Sequence, residues 1–535
     1  MSTASEQTKP IWIESSRTAA LPTPPPLTED LSTDTVVVGG GIAGLSTAYA
    51  LACAGRQVVV LDDGPIGGGN TGRTTAHLSN ALDDRFTNLI RERGVDVAAT
   101  AAASHGAAIN FIERVQATEG IRCDFRRLDG YLVLGEDDDG ALLDRELRAA
   151  HEAGLREVEK LARPPEGAPN APCLRFPRQG RFHPLAYLRG LAAAFERRGG
   201  RIRQAQVAGV ADGTPVRIET SSGRQISADA AVVATATPIN DRVQLHTKLA
   251  PYRTYAIAGA IAPGSIPDAL IWDTVDPYHY VRLAEVAGRP YAIIGGEDHK
   301  TGQSDDETAA LQRLLDWATA RYPIKEAPFR WSGQVMETID GLGFIGRNPG
   351  DENVYVVTGD SGMGMTHGTI AGILIPALIA TGHHPWQAAY DPARKPLSSP
   401  GTLIAENANV GAQFIDYVTP GDVRDFDDIA RGEGAVLRHK ASKIAAYRDE
   451  RGRLHVRSAV CPHLGCLVRW NRLEKVWDCP CHGSQFAPTG RVLHGPAVTA
   501  LATVRDFNED RNPNVTAGDA LEAAESVRQR QRPES

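Results

Sequence analysis

Two short segments that contain cysteine and histidine constrain this chain most strongly. The segment CPHLGC places Cys461 just before His463, and CPCHGS places Cys479 shortly before His482. Two thiolates and two imidazoles in this pattern are the ligands of a [2Fe–2S] cluster in which histidines bind one iron, which raises the reduction potential above that of an all-cysteine cluster. Zinc also takes mixed sets, but its ligand pairs usually run Cys-x-x-Cys. The segments predict a one-electron iron–sulfur centre, with structural zinc as the alternative.

The same segments resemble the Rieske domains of cytochrome bc-type complexes. Each carries one further cysteine, Cys466 and Cys481, and the resemblance implies a disulfide between them that links the two cluster-binding loops. It also implies a hydrogen bond from Ser484 to a bridging sulfide. Phe486 stands where high-potential members have tyrosine. Because hydrogen bonds near the cluster help to set its potential, we expect a value below the upper end of the family.

Composition and charge limit the classes of partner. The chain has 535 residues, which favours two or three domains, and a formal net charge of −8. Because there is no basic field, we expect no nucleic acid partner and predict small molecules and redox proteins instead. The longest apolar run, Ile370 to Ala380, is too short to cross a membrane, and the first residues lack a secretion-signal pattern. We therefore expect a cytoplasmic protein without a membrane span, although a disulfide is unusual in that compartment.

Residues 34–62 follow a strand, glycine turn, helix, strand pattern. Gly39, Gly41 and Gly44 form G-x-G-x-x-G directly after an apolar run, and Asp62 ends the second strand. In this pattern the glycines let the backbone approach a pyrophosphate at the helix N-terminus, and the acid binds ribose hydroxyls. The unit predicts a dinucleotide-binding domain. The alternative is a glycine-rich turn with an incidental acid.

Three segments resemble the D-amino-acid oxidase and glycine oxidase superfamily and make FAD the expected dinucleotide. They are GGGNTGRTTAHLSN at 67–80, AAVVATATP at 230–238 and VYVVTGDSGMGMTHGTIAG at 354–372. The residues implied to contact FAD are Asn70, Thr71, Arg73, Thr74, Thr75, Gly362, Gly364, Met365 and Thr366. Some relatives attach FAD covalently through a histidine in the first of these regions, where His77 lies. The whole chain is similar to bacterial enzymes of the D-amino-acid dehydrogenase type that carry a C-terminal Rieske domain.

The implied fold class is an α/β Rossmann-type FAD-binding domain with an antiparallel β-rich substrate domain, plus a C-terminal all-β Rieske domain. An N-terminal extension is expected at 1–30 and an FAD-dependent oxidoreductase at 31–390. Within the oxidoreductase, the FAD-binding segments are 31–81, 203–249 and 336–390, and the substrate domain comprises 82–202, which is largely helical, and 250–335. A linker with an amphipathic helix is expected at 391–420, a Rieske domain at 421–507 and a charged tail at 508–535.

One strand supplies candidate catalytic residues. The segment DPYHYVRL alternates so that Tyr278, Tyr280 and Arg282 share one strand face. In the oxidase superfamily an arginine and tyrosines bind the substrate carboxylate, and the planar guanidinium suits that role because it pairs bidentately. The alternative is an exposed strand face with cross-strand aromatic pairs. His299, within the polar turn predicted at Gly295 to Gln303, is interpreted as a loop histidine.

The predicted enzyme is a flavin-dependent dehydrogenase that oxidises a small amine or amino acid by hydride transfer to FAD and passes electrons singly through the cluster to a redox partner. One alternative is an oxidase that uses oxygen directly. Another is a reductase that feeds a partner oxygenase, which is disfavoured because such enzymes also bind NAD(P)H and only one glycine motif has its full context. A redox sensor is the non-enzymatic alternative, and it predicts a flavin site without a substrate pocket.

Overall fold

The computed structural model describes residues 8–15, 23–240, 245–303, 306–395, 417, 420–439 and 442–504. The helices are α1 (Ile11–Ser15), α2 (Ile42–Cys53), α3 (Phe86–Arg93), α4 (Val95–Thr118), α5 (Ala141–Glu152), α6 (Pro184–Arg197), α7 (Glu307–Arg321), α8 (Gly364–Thr381) and α9 (Gln387–Tyr390). The amphipathic helix expected after the linker and the charged tail lie outside the described residues, apart from Tyr417.

The strands of the oxidoreductase part are β1 (Leu31–Val38), β2 (Val58–Asp62), β3 (His77–Leu78), β4 (Arg126–Val133), β5 (Glu159–Leu161), β6 (Cys173–Arg181), β7 (Arg201–Gln204), β8 (Val207–Ala211), β9 (Val216–Thr220), β10 (Gln225–Ala236), β11 (Leu249–Ala260), β12 (Leu270–Asp273), β13 (Tyr280–Val286), β14 (Arg289–Lys300), β15 (Phe329–Thr338), β16 (Phe344–Arg347) and β17 (Val354–Thr358). Those that follow are β18 (Glu433–His439), β19 (Ser442–Arg448), β20 (Leu454–Ser458), β21 (Arg469–Asn471), β22 (Val476–Asp478), β23 (Gln485–Phe486) and β24 (Val492–His494).

The first sheet is built around parallel strands. Its order is β16-β17-β10-β1-β2-β7, with β9 paired to β10 and β8 paired to β9. Strands β17, β10, β1, β2 and β7 run parallel to one another, whereas β16 and β9 are antiparallel to β17 and β10. Their apolar runs, such as Val58–Leu61, are buried because parallel strands are covered on both faces. Helices α2 and α8 pack against each other on this sheet. Helix α2 follows β1 and α8 follows β17, so both helices begin at the edge of the sheet where β1, β10 and β17 have their carboxyl ends.

The second sheet is mostly antiparallel and draws on both stretches assigned to the substrate domain. Its order is β15-β11-β14-β13-β12-β4-β6-β3, with β5 paired to β6. The first stretch contains α3 to α6 as expected, but it also gives β4, β5 and β6 to this sheet. The predicted turn at Gly295 is wrong in its position, because β14 continues through Lys300 and pairs with β11. Strand pairing therefore overrides the polar character of residues 297–300.

The C-terminal part consists of a three-stranded sheet, β18-β19-β20, and a four-stranded sheet, β21-β22-β23-β24. Both are antiparallel. The two cluster-binding segments are the loops on either side of the hairpin formed by β21 and β22. This hairpin brings segments that are separated along the chain to one end of the small sheet.

Among the described residues one helix, α8, is long and apolar enough to cross a membrane by length and composition. Most of it is buried in the protein, where it packs against α2 and α4. Helices that are apolar on all sides are typical of protein cores as well as membranes, and the packing of α8 is that of a core helix.

Candidate active site and iron–sulfur centre

The glycine turn after β1 is shaped by two close backbone contacts. Gly39 has φ +108°, and a Cβ there would lie 2.4 Å from the carbonyl oxygen of Ala234. A Cβ on Gly44 would lie 1.9 Å from the carbonyl oxygen of Gly39, so both positions require glycine. At the first turn of α2 the N–H of Ile42 donates to Oγ1 of Thr71 at 3.1 Å. The arrangement leaves backbone amides at a helix N-terminus facing a cavity, which is a suitable environment for a pyrophosphate.

Asp62 holds this turn to the end of β2. Its Oδ2 accepts a hydrogen bond from the N–H of Gly40 at 2.6 Å, and its Oδ1 accepts one from the N–H of Gly64 at 2.8 Å. Burial raises the pKa of the Asp62 carboxyl to about 6, although these two hydrogen bonds act in the opposite direction. Asp62 lines the cavity, and its predicted contact with ribose hydroxyls stays a prediction.

One cavity of about 1090 Å³ collects most of the residues predicted to bind FAD. The predicted residues that line it are Gly39, Gly41, Asp62, Asn70, Thr71, Arg73, Thr74, Thr75, Gly362, Gly364 and Met365. Gly44 packs beneath the turn instead, and Oγ1 of Thr366 lies 2.7 Å from Nδ1 of His105. The cavity is slightly larger than the usual range for ligand sites. Gly39, Gly40 and Gly41 line it without side chains, so a ligand can approach their backbone, and the residues present fit a bound dinucleotide.

Arg73 has a role that the sequence did not reveal. Its Nη2 lies 2.5 Å from Oε1 of Glu474, which belongs to the C-terminal part, and its Nε donates to the carbonyl oxygen of Ser332. The side chain is largely buried. Arg73 therefore lines the FAD cavity and at the same time joins the two parts of the chain.

His77 also lines the cavity. Its Nδ1 lies 3.1 Å from Oγ1 of Thr75, and its ring meets that of Tyr280 edge to face, with centroids 5.4 Å apart. Its Nε2 is buried without a hydrogen-bond partner among the described residues. Burial, followed by the charge of Arg282, lowers the pKa of His77 to about 3, so the imidazole is neutral. Covalent attachment of FAD at this residue stays a prediction.

The predicted tyrosines come together at one end of the cavity. Tyr278 and Tyr280 both line it, and their ring centroids lie 5.4 Å apart. The hydroxyl of Tyr278 donates to Oδ2 of Asp83 at 2.7 Å. The hydroxyl of Tyr280 lies 2.8 Å from Oγ1 of Thr254 on β11.

Arg282 does not line the cavity, which corrects the prediction that it shares a pocket with the tyrosines. Its Nη1 donates to the carbonyl oxygens of Ala76 at 2.5 Å and Phe182 at 3.2 Å, and its Nε donates to that of Leu283 at 3.0 Å. Burial, followed by the charge of Arg181, lowers the pKa of its guanidinium to about 9. Alternation along β13 gave the correct face, but two residues span about 7 Å of strand, which carries Arg282 past the end of the cavity.

Acidic residues that sequence reasoning missed lie beside the tyrosines. We call Asp83, Asp298, Tyr278, Tyr280 and Trp272 the acidic chamber; all five line the cavity. Asp83 follows the first FAD-contacting segment, and Asp298 lies on β14 in the stretch read as a turn. Each of these two segments contains a pair of adjacent acidic residues, and this was the signal in the sequence that could have indicated the site. Only the pairing of β14 with β13 and β11 brings the two segments into one site.

The C-terminal loops place the predicted cluster ligands together. Cys461 and Cys479 are both buried and lie within hydrogen-bonding distance of each other. The rings of His463 and His482 meet edge to face with centroids 5.0 Å apart. Nδ1 of His482 is buried and has no hydrogen-bond partner among the described residues. A buried imidazole nitrogen without a partner costs free energy unless it binds something, so this set fits an iron cluster.

The disulfide implied by the resemblance is present. Cys466 and Cys481 are joined, with their Cα atoms 6.4 Å apart, and the bond links the two cluster-binding loops. Oγ of Ser484 accepts a hydrogen bond from the N–H of Ala497 at 3.0 Å. Phe486, where the resemblance led us to expect a missing hydroxyl, is fully buried.

The C-terminal part is joined to the oxidoreductase part by buried charges. Nη2 of Arg253 on β11 lies 2.8 Å from Oδ2 of Asp478, and both side chains are almost completely buried. Oδ2 and Oδ1 of Asp478 also accept hydrogen bonds from the side-chain amides of Asn471 and Gln485. Oε1 of Glu474 accepts from the hydroxyl of Ser332 at 2.6 Å in addition to the ion pair with Arg73. Both acids, Asp478 and Glu474, therefore have an arginine partner from the oxidoreductase part.

The histidine edge of the cluster site faces inward. The ring of His246, just before β11, lies 4.6 Å from that of His463 and 5.4 Å from that of His482, measured between centroids. Nε2 of Gln334 on β15 donates to the carbonyl oxygen of Gly483 at 3.0 Å. Gln334 also lines the FAD cavity, so one side chain contacts both the cavity and a cluster-binding loop.

The C-terminal part forms part of the FAD cavity itself. Residues 491–495, together with Ala497 and Val498, line the cavity. A Cβ on Gly69 would lie 3.7 Å from the His494 ring. Because Ala497 also bonds to Ser484, one segment is shared by the wall of the cavity and the support of the cluster loops.

Comparisons with known proteins identify both parts. The family model for FAD-dependent oxidoreductases matches residues 34–378, and the model for the Rieske [2Fe-2S] domain matches residues 420–505. This chain belongs to the FAD-dependent oxidoreductase family. FAD and a [2Fe–2S] cluster are thus confirmed as its cofactors. The predicted fold class, with its C-terminal all-β Rieske domain, is confirmed as well.

Relatives within the family extend this result. The chain is 31% identical to a Bacillus subtilis (strain 168) protein described as a Rieske 2Fe-2S iron-sulfur protein, YhfW, over 90% of this chain and 96% of that one. It is 28% identical to gamma-glutamylputrescine oxidoreductase of Escherichia coli (strain K12), over 72% of this chain and 93% of that protein. The structure resembles that of glycine oxidase from Geobacillus kaustophilus with a TM-score of 0.57 and 18% identity, covering 68% of this chain and 99% of that one. The prediction of an FAD-dependent oxidoreductase is confirmed.

Proposed function

We propose that this chain is an amine or amino-acid dehydrogenase whose electrons leave through its own Rieske domain. The observation that carries this proposal is the shared wall: residues 491–495 line the FAD cavity, while Ala497 supports the cluster loops through Ser484. A domain with only a structural role would not need its redox centre against the flavin site. The name of the Escherichia coli relative supports an amine as substrate.

The chain's own residues would bind, orient and shield the reactants. When bound, FAD supplies a two-electron hydride acceptor and the cluster a one-electron carrier. The amides at the start of α2 and α8 would hold FAD, and Cys461, Cys479, His463 and His482 would hold the cluster. Tyr278 and Tyr280 would position the substrate carbon against the flavin, which supplies rate through orientation. The Rieske domain covers the cavity, so it would also exclude solvent.

The external partner is proposed to be a one-electron acceptor, because the cluster carries electrons singly. We further propose a cytoplasmic location, which fractionation of the native cells into membrane, periplasmic and cytoplasmic material would test.

An anaerobic reduction experiment tests the proposed function. The purified holoenzyme is mixed with amines and amino acids, and flavin absorbance is followed together with the EPR signal of the reduced cluster. We expect a small amine or amino acid to bleach the flavin and then to produce the EPR signal, whereas NADH and NADPH do neither. Rapid reduction by NADPH would instead support the reductase alternative. Fast reoxidation by oxygen that bypasses the cluster would support the oxidase alternative.

A matched pair of cysteine variants separates the two centres. Cys479→Ser should remove the cluster signal and turnover with one-electron acceptors while FAD and its bleaching by substrate remain. Cys53→Ser, at an exposed free cysteine, serves as the control and should retain every property. Turnover at the normal rate in Cys479→Ser would show that electrons do not need the cluster.

A further inference from the structure

The five residues of the acidic chamber include no positively charged side chain that could pair with a substrate carboxylate. Arg282, the residue expected in that role, donates to backbone carbonyl oxygens instead. The arginines that line the cavity serve other places: Arg73 pairs with Glu474, and the charge of Arg491 acts on Asp63 beside the glycine turn. A carboxylate placed between Asp83 and Asp298 would meet like charge, which is unfavourable in a partly desolvated site.

In the described part of the chain Asp83 and Asp298 lack a lysine or arginine counter-ion, although the charge of His279 acts on Asp298. Neither forms an ion pair with a lysine or arginine within the described residues. Oδ2 of Asp83 accepts from Tyr278, and Asp298 is hydrogen-bonded by Thr254. Oδ1 of Asp298 is buried and has no hydrogen-bond partner in the described part of the chain. A buried carboxylate oxygen without a partner is costly, and it faces a cavity large enough to admit one.

The remaining walls of the chamber are aromatic. Tyr278 and Tyr280 pack with their centroids 5.4 Å apart, and Trp272 lies beside them on the strand next to β13. Aromatic faces attract cations through their quadrupoles, most strongly where water is displaced. Burial raises the pKa of both Asp83 and Asp298 to about 7, with further contributions from neighbouring acids, so each carboxylate gains from a bound positive charge.

We propose that the acidic chamber binds the ammonium group of an alkylamine or diamine, so that the substrate is selected by positive charge and needs no carboxylate. This inference rests on the proposed function, because it assigns the substrate class of the same site. A charge-assisted hydrogen bond to Asp298 and an ion pair with Asp83 would hold the ammonium group, and the aromatic rings would enclose it.

Two probes of the same shape and opposite charge test the proposal without turnover. tert-Butylammonium has no hydrogen on the carbon next to nitrogen, so it cannot be oxidised, and pivalate is its carboxylate counterpart. Each is titrated into the oxidised holoenzyme, and the change in flavin absorbance gives the dissociation constant. We expect tert-butylammonium to bind at least tenfold more tightly than pivalate. Equal binding, preference for pivalate or failure of the cation to bind would overturn the proposal.

Isosteric variants locate the site. Asp298→Asn and Asp83→Asn should each weaken the binding of tert-butylammonium about tenfold or more, the usual loss when a charge-assisted hydrogen bond is removed. Asp229→Asn, at an exposed aspartate, is the control and should bind the probe normally. FAD content, measured on each variant, shows that it is folded. Unchanged binding in both chamber variants would overturn the proposal even if the cation binds.

A reduction assay separates this inference from the proposed function. Anaerobic flavin bleaching by 1,4-diaminobutane is compared with bleaching by glycine and proline. Bleaching by an amino acid alone would retain the proposed function and overturn the cationic chamber. Bleaching by the diamine supports both. If none of a wide range of amines bleaches the flavin, the proposed function fails, and the two-probe titration still decides the charge preference of the chamber.

Discussion

Two regions of this protein contain carboxylates with opposite surroundings: the interface between the domains, where they are buried, and the acidic chamber, where they are half-buried. At the interface between the domains, Asp478 and Glu474 are paired with Arg253 and Arg73. Burial acts to raise the pKa of Glu474, but the charges of Arg73 and Arg253 outweigh it, and the net pKa is lowered. In the acidic chamber burial outweighs the opposing effects of the Thr254 hydrogen bond and the charge of His279, and the pKa of Asp298 rises to about 7.

The difference shows that an acid removed from water can either stabilise the fold or mark a ligand-binding site. A paired acid is satisfied by the protein and holds two domains in one arrangement. An acid that is buried beside a cavity and left without a cation remains costly until a ligand supplies the charge. Perturbed pKa values occur in both situations, so the identity of the partner, and not the burial, distinguishes them.

The largest expected effect comes from breaking the interface pair. Arg253→Ala leaves Asp478 buried without its counter-ion and should lower stability by about 3–5 kcal/mol, measured as a fall in the urea midpoint of the holoenzyme. Arg253→Ala combined with Asp478→Asn should recover part of the loss, because the asparagine carries no charge. Asp298→Asn should cause no loss. A similar loss from Asp298→Asn would erase the distinction between the two regions.

An intermediate effect should appear in the pH dependence of stability. Because the folded-state pKa of Asp298 is raised, its contribution is favourable below its ordinary pKa near 4 and is lost as pH rises through about 7. The other groups that act on it are Thr254, His279, Glu297 and Asp276. Relative to Asp298→Asn, the wild-type enzyme should therefore lose about 2 kcal/mol between pH 5 and pH 8. Denaturation of both proteins at each pH measures this difference, and parallel curves would contradict it.

The smallest expected effect concerns a neutral hydrogen bond at the same interface. Gln334→Leu removes the donor to the carbonyl oxygen of Gly483 and should cost about 1 kcal/mol. It should also alter the EPR spectrum of the reduced cluster, because Gly483 adjoins the ligand His482, while iron and FAD contents stay unchanged. Gln312→Leu, on the exposed side of α7, is the control. An unaltered spectrum would show that this contact does not reach the cluster.

Much of the site was predictable because its signals are local. The ligand spacing around Cys461 and Cys479 lies within two loops, and the glycine turn from Gly39 to Gly44 lies within one strand–turn–helix unit. Alternation in β13 predicted which side chains share a face, but it did not predict how far the cavity extends along that face. For this reason Tyr280 lines the cavity and Arg282 does not.

The sequence by itself indicated the cluster ligands and the dinucleotide motif, since each depends on residue types at short separations, and its resemblance to known families implied FAD and the disulfide. Only the tertiary structure decided which charges are paired. Glu474 lies far along the chain from Arg73, and Asp298 far from Asp83, so their environments follow from how the sheets pack and not from neighbours in sequence. The free energy of a buried charge depends on the nearest opposite charge in space, and that neighbour is set by the fold.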